Sequence, residues 1–416
     1  MADVQHYIET LAAAARKASV GLRTLTASTK NAALMAMAQS LDGRREALCA
    51  ANARDLERGR KAGLSGAMLD RLAITDKRID DMIVSLKEIA AFDDPVGEVI
   101  GVRRPQGFTL EKVRTPIGVV AIIYESRPNV TLDAAALCLK SGNASILRGG
   151  SEALETSKAL VECIRDGCRA AGVDGDAVQY VERTEYEAID ILVTQSATVD
   201  LVIPRGGEAL IHRVVEKATV PVIKHYKGVC HIYVDESADL AMAAEIVTNS
   251  KVQRPGTCNA LEKVLVHESV ASRFLPLMRE KMLNVELRGD ERTRSILPGT
   301  RSATEEDWHA EYLDMILAVK VVSGLDEAVA HIETYGSRHT DGIVSRDVKN
   351  IERFLGTVDS SVLTVNASTR LNDGGVFGLG AEIGISTDKL HARGPMGLKE
   401  LTTYKWVLRG NGDLRK

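Results

Sequence analysis

Strand-like and helical segments alternate through the middle of the chain, and this alternation limits the possible folds more than any other feature of the sequence. Short runs rich in Val, Ile and Leu predict strands over residues 119–124, 144–150, 178–182 and 200–207, each followed by a helical segment. The run at 220–225 predicts one more strand. Strands that alternate with helices pair in parallel, with helices on both faces of the sheet. We therefore predict an α/β fold with a mainly parallel sheet.

Segments of different character flank this central region. The first 91 residues show helical periodicity and predict several packed helices, whereas residues 97–113 carry short β-like runs. From residue 231 onwards strands and helices alternate again, and the stretch 401–410 predicts a late strand. The sequence thus predicts two α/β domains, residues 1–230 and 231–400.

Three predicted strands end in turns that suit phosphate groups. Two of them contain Arg and paired Gly, at residues 148–151 and 205–207, and the third is the turn at 126–129. Glycine permits close backbone approach, helix N-termini offer N–H groups, and arginine adds positive charge. Each turn alone is a weak signal, since glycine after a strand is usually only a turn residue. Together they favour a phosphate-bearing cofactor, although the sequence has no GxGxxG fingerprint.

A cysteine follows the Pro-Gly turn in the segment 251–259. Cys258 is accompanied by Lys251 and Arg254 upstream and by polar neighbours. Nearby cations favour the thiolate, which is the form that attacks carbonyl groups. A buried structural cysteine is the common alternative, but the turn and the polar neighbours favour an accessible nucleophile. We therefore predict that Cys258 is catalytic.

Composition excludes several classes of protein. The net charge of −4 over 416 residues, with five Phe and two Trp, gives little support for nucleic-acid binding. No stretch is apolar enough to span a bilayer, and we expect no membrane partner. Six cysteines without CxxC pairing are typical of reduced thiols in a cytoplasmic protein.

Eight segments of the chain, in the same order, resemble the aldehyde dehydrogenase superfamily. They include the cysteine loop and the three phosphate-type turns. The matching segments are residues 124–131, 139–153, 203–207, 228–235, 251–262, 335–343, 365–387 and 389–406. The resemblance is greatest to the branch of the superfamily that reduces γ-glutamyl phosphate with NADPH.

This resemblance implies a reaction. The cysteine of the corresponding loop is the nucleophile in the superfamily, which carries that role to Cys258. The implied activity is NADPH-dependent reduction of L-glutamate 5-phosphate to L-glutamate 5-semialdehyde and phosphate through a Cys258 thioester. This is the second step of proline biosynthesis, and no metal is expected in the site.

The chain also departs from the superfamily pattern. Hydrolytic members have a water-activating Glu at a position that falls here on Lys224 or His225, with no carboxylate nearby. Its absence favours a reductase, whose thioester must react with hydride instead of water. The oxyanion donor of the superfamily, an Asn two residues before a Pro, falls here on Ser126, so we assign the donor to Asn129, which follows Pro128. His225 and Tyr226 replace a Gly-Gly pair, and no role is implied for them.

The resemblance also implies a Rossmann-type, NADPH-binding domain over residues 1–230 and an α/β catalytic domain over residues 231–400. The remaining site residues follow from the turns and the resemblance together. Arg148 replaces a cofactor-binding Lys and suits the extra phosphate of NADPH. The predicted cofactor-binding residues are Arg148, Gly149, Ser151, Arg205, Gly206, Gly207 and Glu311. The predicted substrate-binding residues are Arg127, Lys251, Arg254, His339, Thr340 and Asn366.

Assembly is also implied by the resemblance. Residues 97–113 and the strand within 401–416 correspond to a flap that pairs with a neighbouring subunit, so we expect a homo-oligomer. A further expected partner is glutamate 5-kinase, which makes the labile substrate and with which the protein would form a complex. Two alternatives stay open: a hydrolytic NAD(P)-dependent semialdehyde dehydrogenase, and a non-catalytic binding protein on the same fold.

Overall fold

The structure, a computed structural model, describes residues 2–125 and 127–415 and divides the chain into two compact units. The first unit contains the residues up to Lys224, Gly378–Gly384 and the residues from Met396 onwards. The second unit contains His225–Phe377 and Ile385–Pro395. The predicted domain boundary follows residue 230, and the predicted second domain includes all of residues 231–400. The cofactor and catalytic roles given to the two domains stay predictions.

Five helices open the first unit, as the helical periodicity of the first 91 residues predicts. Hydroxyl side chains cap three of them, and at the last one Thr75 Oγ1 accepts the Arg78 N–H at 3.2 Å. The helices are α1 (Ala2–Leu22), α2 (Ala27–Gly43), α3 (Arg45–Lys61), α4 (Gly66–Leu72) and α5 (Asp76–Ala91).

A four-stranded parallel sheet forms the centre of the first unit, in the order β5-β4-β3-β6. Strand β3 is buried along its whole length, as expected for a parallel strand covered on both faces. The elements are β1 (Val99–Arg103), β2 (Thr109–Pro116), β3 (Val119–Tyr124), α6 (Asn129–Lys140), β4 (Ala144–Arg148), α7 (Leu154–Ala170), β5 (Val178–Tyr180), α8 (Tyr186–Leu192), β6 (Leu201–Arg205) and α9 (Glu208–Lys217).

The predicted strand over residues 220–225 is wrong. Only an isolated bridge between Val222 and Val202 forms there. The Val202 N–H donates to the Pro221 carbonyl at 2.9 Å, and the Ile223 N–H donates to the Val202 carbonyl at 3.0 Å. Pro221 has no N–H to donate, and the pairing ends after these two bonds.

The second unit contains a seven-stranded parallel sheet in the order β10-β9-β11-β8-β7-β12-β13. Its elements are β7 (Cys230–Val234), α10 (Leu240–Val252), β8 (Leu261–His267), α11 (Glu268–Lys281), β9 (Glu286–Gly289), α12 (Glu291–Ile296), β10 (Arg301–Ser302), α13 (Glu305–His309), β11 (Ile316–Val322), α14 (Leu325–Tyr335), β12 (Thr340–Val344), α15 (Val348–Thr357) and β13 (Val362–Val365).

Two hydrophobic cores cover the two faces of this sheet. Ile232 and Val234 of β7 pack in one core with residues of α10 and α11, whereas Tyr233, between them, packs in the other with residues of α14 and α15. Successive side chains of a strand point to opposite faces. Helices therefore lie on both faces of the sheet, and the structure confirms the predicted α/β fold with parallel sheets.

The end of the chain completes two small sheets. Strands β14 (Gly384–Ser386) and β15 (Gly394–Met396) pair with each other, and β16 (Thr402–Arg409) pairs with β2 in an antiparallel sheet of order β1-β2-β16. The β-like residues 97–113 and the terminal strand thus lie in one sheet, which we call the flap sheet. Among the helices of residues 2–125 and 127–415, none is long and apolar enough to cross a membrane.

Candidate active site

Cys258 lies in the second unit, in the loop that joins the end of α10 to the start of β8. Its side chain is partly exposed and its thiol is free. The Thr257 hydroxyl donates to the Arg254 carbonyl at 2.9 Å, and the Asn259 amide donates to the Asn372 carbonyl at 2.8 Å. These bonds hold the backbone on both sides of the cysteine. The predicted nucleophile is therefore fixed in position by its loop while its sulfur keeps an open side.

Gly228 lies directly against the backbone of Cys258. A Cβ atom at position 228 would lie 1.8 Å from the Cys258 carbonyl oxygen and 2.8 Å from its Cα. No other residue fits this position without moving the loop. The Gly228 N–H donates to Glu311 Oε1 at 2.9 Å. Glu311, predicted to bind the cofactor, thus holds the segment against which the cysteine loop packs.

A second thiol is hydrogen-bonded to the backbone of the cysteine loop. Cys230, the first residue of β7, donates its S–H to the Cys258 carbonyl at 3.2 Å. Complete burial raises the pKa of the Cys230 thiol well above its usual value. Cys230 therefore stays protonated and acts as a hydrogen-bond donor, whereas the partly exposed Cys258 is the one with access to solvent.

Two imidazoles approach the Cys258 thiol. One ring nitrogen of His225, one of His339 and the Cys258 sulfur all lie within 4.8 Å of one another. The two rings meet edge to face, with their centroids 5.4 Å apart. His339 was predicted to bind substrate, and the structure places it beside the thiol. His225 was left without a role by the sequence, and the structure assigns it to the same cluster.

A cation that was not predicted from the sequence is hydrogen-bonded to residues on both sides of Cys258. Arg370 donates to Asn259 Oδ1, and its Nε donates to Gln253 Oε1 at 2.9 Å. Burial and the positive charge of Arg254 lower the pKa of Arg370, and Asp373 and Cys258 partly counteract this shift. Arg254 is exposed on the loop itself. Arg370 lies within a segment that matches the superfamily, yet 112 positions separate it from Cys258, and only the fold reveals their proximity.

Lys251 does not reach the site in the way that the sequence predicted. Its side chain is fully buried, and its Nζ forms an ion pair with Glu262 at 3.1 Å. Burial lowers the pKa of Lys251, and Glu262 partly restores it. An ammonium group committed to a buried carboxylate is not available to a substrate phosphate. The structure therefore places Lys251 in the core behind the loop, where it holds the end of α10 against β8.

Two further predicted substrate residues make bonds within the protein. The Thr340 hydroxyl lies 2.8 Å from His339 Nδ1 and accepts from the Asn372 amide at 2.7 Å. Asn366 has a φ of 51°, and its side-chain amide bonds both the N–H and the carbonyl of Ser345 at 2.9 Å. Thr340 thus supports the imidazole beside the thiol. Asn366 has a left-handed backbone conformation, and its side-chain amide is used in the two hydrogen bonds to Ser345. These contacts indicate no role for it in substrate binding.

The predicted cofactor residues around Arg148 lie in the first unit, where β4 ends. Arg148 is buried and donates to the Thr184 carbonyl at 2.8 Å, while its Nε has no hydrogen-bond partner among the described residues. A Cβ at Gly149 would lie 3.2 Å from the Tyr124 ring, so the backbone there is closely packed. Ser151 is exposed at the start of a short 3₁₀ turn. A buried guanidinium with an unsatisfied donor fits an anionic group such as a cofactor phosphate.

The second predicted phosphate turn binds a carboxylate of its own chain. The Gly207 N–H, at the start of α9, donates to Glu125 Oε2 at 2.8 Å, and a Cβ at Gly206 would lie 2.6 Å from the same oxygen. Arg205 packs against Gly384, where a Cβ would lie 2.8 Å from its guanidinium. The turn therefore has the anion-binding property that was predicted, and a cofactor phosphate at the same N–H would have to displace Glu125.

Asn129 and its neighbours form the beginning of α6, also in the first unit. The Asn129 amide donates to Asp133 one turn further along, at 3.3 Å. Arg127 precedes the helix and is exposed. Ser126, the position that corresponds to the superfamily's oxyanion Asn, lies outside the described residues. The oxyanion role of Asn129 stays a prediction.

Known proteins resemble this chain over nearly its whole length. A curated relative from Geotalea daltonii, named gamma-glutamyl phosphate reductase, is 53% identical over 416 residues, which cover 99% of this chain and 100% of the relative. The crystal structure of gamma-glutamyl phosphate reductase from Thermotoga maritima superimposes with a TM-score of 0.97 at 47% identity and covers 98% of this chain and 100% of that chain.

A more distant structure shares the fold alone. An engineered glycolyl-CoA reductase, solved with bound NADP⁺, is 15% identical, covers 96% of both chains and has a TM-score of 0.69. The family model described as the aldehyde dehydrogenase family matches residues 2–301. These matches confirm the resemblance that the eight sequence segments indicated. The chain belongs to the aldehyde dehydrogenase family.

Proposed function

We propose that this protein is a γ-glutamyl phosphate reductase, which reduces L-glutamate 5-phosphate to L-glutamate 5-semialdehyde and phosphate. The observation that carries the proposal is the Cys258 thiol, held on a fixed loop with an open side and two imidazoles within 4.8 Å. Relatives that carry this name are about half identical to the chain over its full length. Activity of the same kind in proline biosynthesis follows from that similarity.

Catalysis begins with removal of the thiol proton. His225 Nδ1 lies 2.7 Å from the Ile385 carbonyl, which only accepts hydrogen bonds, so Nδ1 carries a hydrogen. The other nitrogen of a neutral His225 then has a lone pair and can accept the Cys258 proton. The thiolate attacks the acyl carbon of the substrate, the C–O bond to phosphate breaks, and a thioester forms on Cys258.

The second half of the reaction returns the enzyme to its starting state. NADPH held at the Arg148 and Arg205 turns would supply a hydride, which is the chemistry needed to reduce the thioester to the level of an aldehyde. The sulfur then leaves carbon as the carbonyl of the semialdehyde forms, and the Cys258 thiolate takes back the proton that His225 holds. The Cys258 backbone N–H and the Asn129 amide are the proposed donors to the oxyanion, and one such donor is typically worth about 3 kcal/mol.

The residues around the thiol favour reduction over hydrolysis. The water-activating Glu of hydrolytic members falls here on Lys224 or His225, and at the thioester stage His225 already holds the Cys258 proton, so it cannot accept another from water. Because the thioester is not attacked by activated water, it persists until hydride transfer. This distinguishes the proposal from the hydrolytic alternative on the same fold.

The family implies a nicotinamide cofactor, and we propose that NADPH is the one used here. Arg148, Gly149 and Ser151 would hold a phosphate of the cofactor at the end of β4, and the turn at Arg205, Gly206 and Gly207 would contribute a second anion site. The buried Arg148 with an unsatisfied Nε supports this assignment. Glu311 is the proposed ligand of the nicotinamide ribose.

The substrate carries a carboxylate and a phosphate, so cations should bind it. We assign this role to Arg254, which is exposed on the cysteine loop, and to Arg370, whose positive charge interacts with Cys258. Arg127 is a further candidate in the first unit. Lys251 is not assigned to the substrate because it is paired with Glu262.

Assembly and location belong to the same proposal. We infer a homo-oligomer formed through the flap sheet, whose strand β16 exposes Tyr404, Trp406 and Leu408. The six cysteines are free thiols, which supports a reducing, cytoplasmic location. The acyl phosphate is labile in water, so direct transfer from glutamate 5-kinase would protect it.

The reverse reaction tests the proposed activity. With L-glutamate 5-semialdehyde and NADP⁺, NADPH should form repeatedly only when inorganic phosphate is present, because phosphate is needed to release the acyl group from Cys258. Sustained turnover without phosphate, with glutamate as product, would identify a hydrolytic dehydrogenase. The absence of any turnover would favour a non-catalytic binding protein.

A further inference from the structure

We propose that Cys258, His225 and His339 form a binding site for a zinc ion, and that zinc bound there blocks the nucleophile. One ligand atom of each residue lies within 4.8 Å of the other two. Thiolate sulfur and imidazole nitrogen are the ligand types that Zn²⁺ prefers in proteins. The residues come from three separate parts of the second unit, so the cluster is a product of the fold and not of local sequence.

The spacing of the three atoms is close to that of a zinc site. With Zn–S of about 2.3 Å and Zn–N of about 2.0–2.1 Å, one sulfur and two nitrogens in a tetrahedral site lie about 3.3–3.6 Å apart. A separation of up to 4.8 Å therefore has to shorten by up to about 1.5 Å. Rotation of the partly exposed Cys258 and His225 side chains provides this movement. Three protein ligands leave a fourth position for water, as in open zinc sites.

The hydrogen bonds behind the imidazoles also suit a metal site. Metal-binding histidines commonly donate their second N–H to a carbonyl or another oxygen, which orients the ring. His225 Nδ1 donates to the Ile385 carbonyl at 2.7 Å, so Nε2 is the nitrogen that would bind the metal. His339 Nδ1 lies 2.8 Å from the Thr340 hydroxyl, which can accept a hydrogen and direct Nε2 in the same manner. Asn372 holds that hydroxyl in place with a bond of 2.7 Å.

Binding removes the group on which catalysis depends. The Cys258 S–H proton passes to solvent as the sulfur–zinc bond forms, and the sulfur lone pair is then no longer available to attack an acyl carbon. His225 is engaged at the same time and cannot accept a proton. This inhibitory consequence rests on the proposed reductase function, whereas metal binding itself does not.

The binding experiment uses the full chain, reduced and freed of metal with a chelator. Calorimetric titration with Zn²⁺ should show one tight site per chain, and Co²⁺ should give the near-ultraviolet charge-transfer band of a thiolate ligand. Cys258→Ser should abolish the cobalt band. Cys258→Ser and His225→Ala should each weaken zinc binding by about 100-fold or more, since loss of even an outer-shell partner typically costs about 10–100-fold. Thr340→Val removes the hydroxyl that orients the buried His339 ring. It should weaken zinc binding by about tenfold or more.

Matched controls separate this site from adventitious binding. Cys49→Ser and His212→Gln remove a partly exposed thiol and an exposed imidazole elsewhere, and they should bind zinc as the unmodified protein does. The proposal is overturned if no stoichiometric site is found, if Cys258→Ser and His225→Ala bind zinc with unchanged affinity, or if a control removes binding.

An activity measurement tests the consequence separately. Stoichiometric Zn²⁺ should inhibit the phosphate-dependent reaction of the unmodified protein, and a chelator should restore it. Failure of the proposed function would appear as absence of turnover in the metal-free protein, with the cobalt band still present. Full activity of the zinc-loaded protein would instead overturn the inhibitory role.

Discussion

At the scale of single residues, Gly228 controls the position of the nucleophile. We expect Gly228→Ala to lower kcat/KM by about 100-fold or more, because the added methyl group would displace the Cys258 backbone, and misplacement by about 1 Å can cost that much. The Cβ would lie only 1.8 Å from the Cys258 carbonyl oxygen. Steady-state kinetics and the rate of Cys258 alkylation measure the effect.

The control for this change is a glycine in the same unit that has space around it. Gly356, in α15, has no positive φ, and a Cβ added there would meet no atom within 4 Å. Gly356→Ala should leave both activity and alkylation unchanged. Equal losses in the two variants would show that the close contact at Gly228 does not position the thiol.

His331 provides a prediction about pH. Burial is the main reason why the pKa of His331 is lowered to about 2, and the neighbouring basic groups His231, Lys320 and Lys263 contribute to the same shift. The unfolded chain binds a proton at this residue below a pH of about 6.5, whereas the folded chain does not. Its contribution to stability is therefore fully present above a pH of about 6.5 and is lost progressively as the pH falls from about 6.5 towards about 2. Between pH 7 and pH 5 the loss should be about 2 kcal/mol.

Replacement by phenylalanine tests this contribution. Neither ring nitrogen of His331 has a hydrogen-bond partner among the described residues, so His331→Phe should retain stability at pH 7 and lose about 2 kcal/mol less than the unmodified protein by pH 5. Denaturant unfolding at several pH values measures this. His212→Gln, at an exposed position, is the control. Identical pH profiles for His331→Phe and the unmodified protein would contradict the prediction.

The sequence points to the thiol and to part of its surroundings, since His339 and Arg254 were both predicted as site residues and lie beside the thiol or on its loop. The turn, the neighbouring cations and the superfamily match all lie close to Cys258 in the chain. Lys251 was predicted as a ligand because it lies close to Cys258 in the sequence. Its partner is Glu262 in β8, and the burial of this ion pair depends on how α10 packs against β8, which the sequence does not show. His225 and Arg370 reach the loop through tertiary contacts, which no local pattern indicates.

At the scale of elements, strands with continuous apolar runs were predictable and weakly paired ones were not. The predicted strand at residues 119–124 is β3, with the same bounds, because parallel strands buried on both faces require such runs. The run at 220–225 has a similar apolar character but contains Pro221 and pairs through one bridge. The two runs differ in outcome because Pro221 lacks a backbone N–H for pairing, whereas their side-chain composition is similar.

The flap sheet yields a prediction about assembly. Tyr404, Trp406 and Leu408 alternate along β16 and lie on the same face, and each is about half exposed. We expect Trp406→Glu combined with Leu408→Glu to weaken self-association by about 100-fold or more, because buried aromatic residues dominate interface energies. Analytical ultracentrifugation over a range of protein concentrations measures the change in mass.

An exposed apolar residue elsewhere serves as the control for assembly. Val348, at the start of α15, is 68% exposed, and Val348→Glu should leave the mass unchanged. A double variant of β16 with the mass of the unmodified protein would show that the flap sheet does not mediate association.

At the scale of the whole molecule, the two units of the chain have different proposed roles. The first unit supplies the predicted anion sites for a nicotinamide cofactor, and the second unit supplies the thiol and the groups that hold it. Membership of the aldehyde dehydrogenase family explains why these features occur in one protein. The chemistry proposed for it depends on a single covalent intermediate at Cys258.

Detection of that intermediate tests the central claim most directly. The full-length protein, incubated with L-glutamate 5-semialdehyde and NADP⁺ but without phosphate, should form about one NADPH per active site and then stop, because the acyl group has no acceptor. Intact-mass and peptide analysis should find one γ-glutamyl group on Cys258, and added phosphate should release it. An acyl group on another residue, or a Cys258→Ser variant that turns over at the normal rate, would contradict the account.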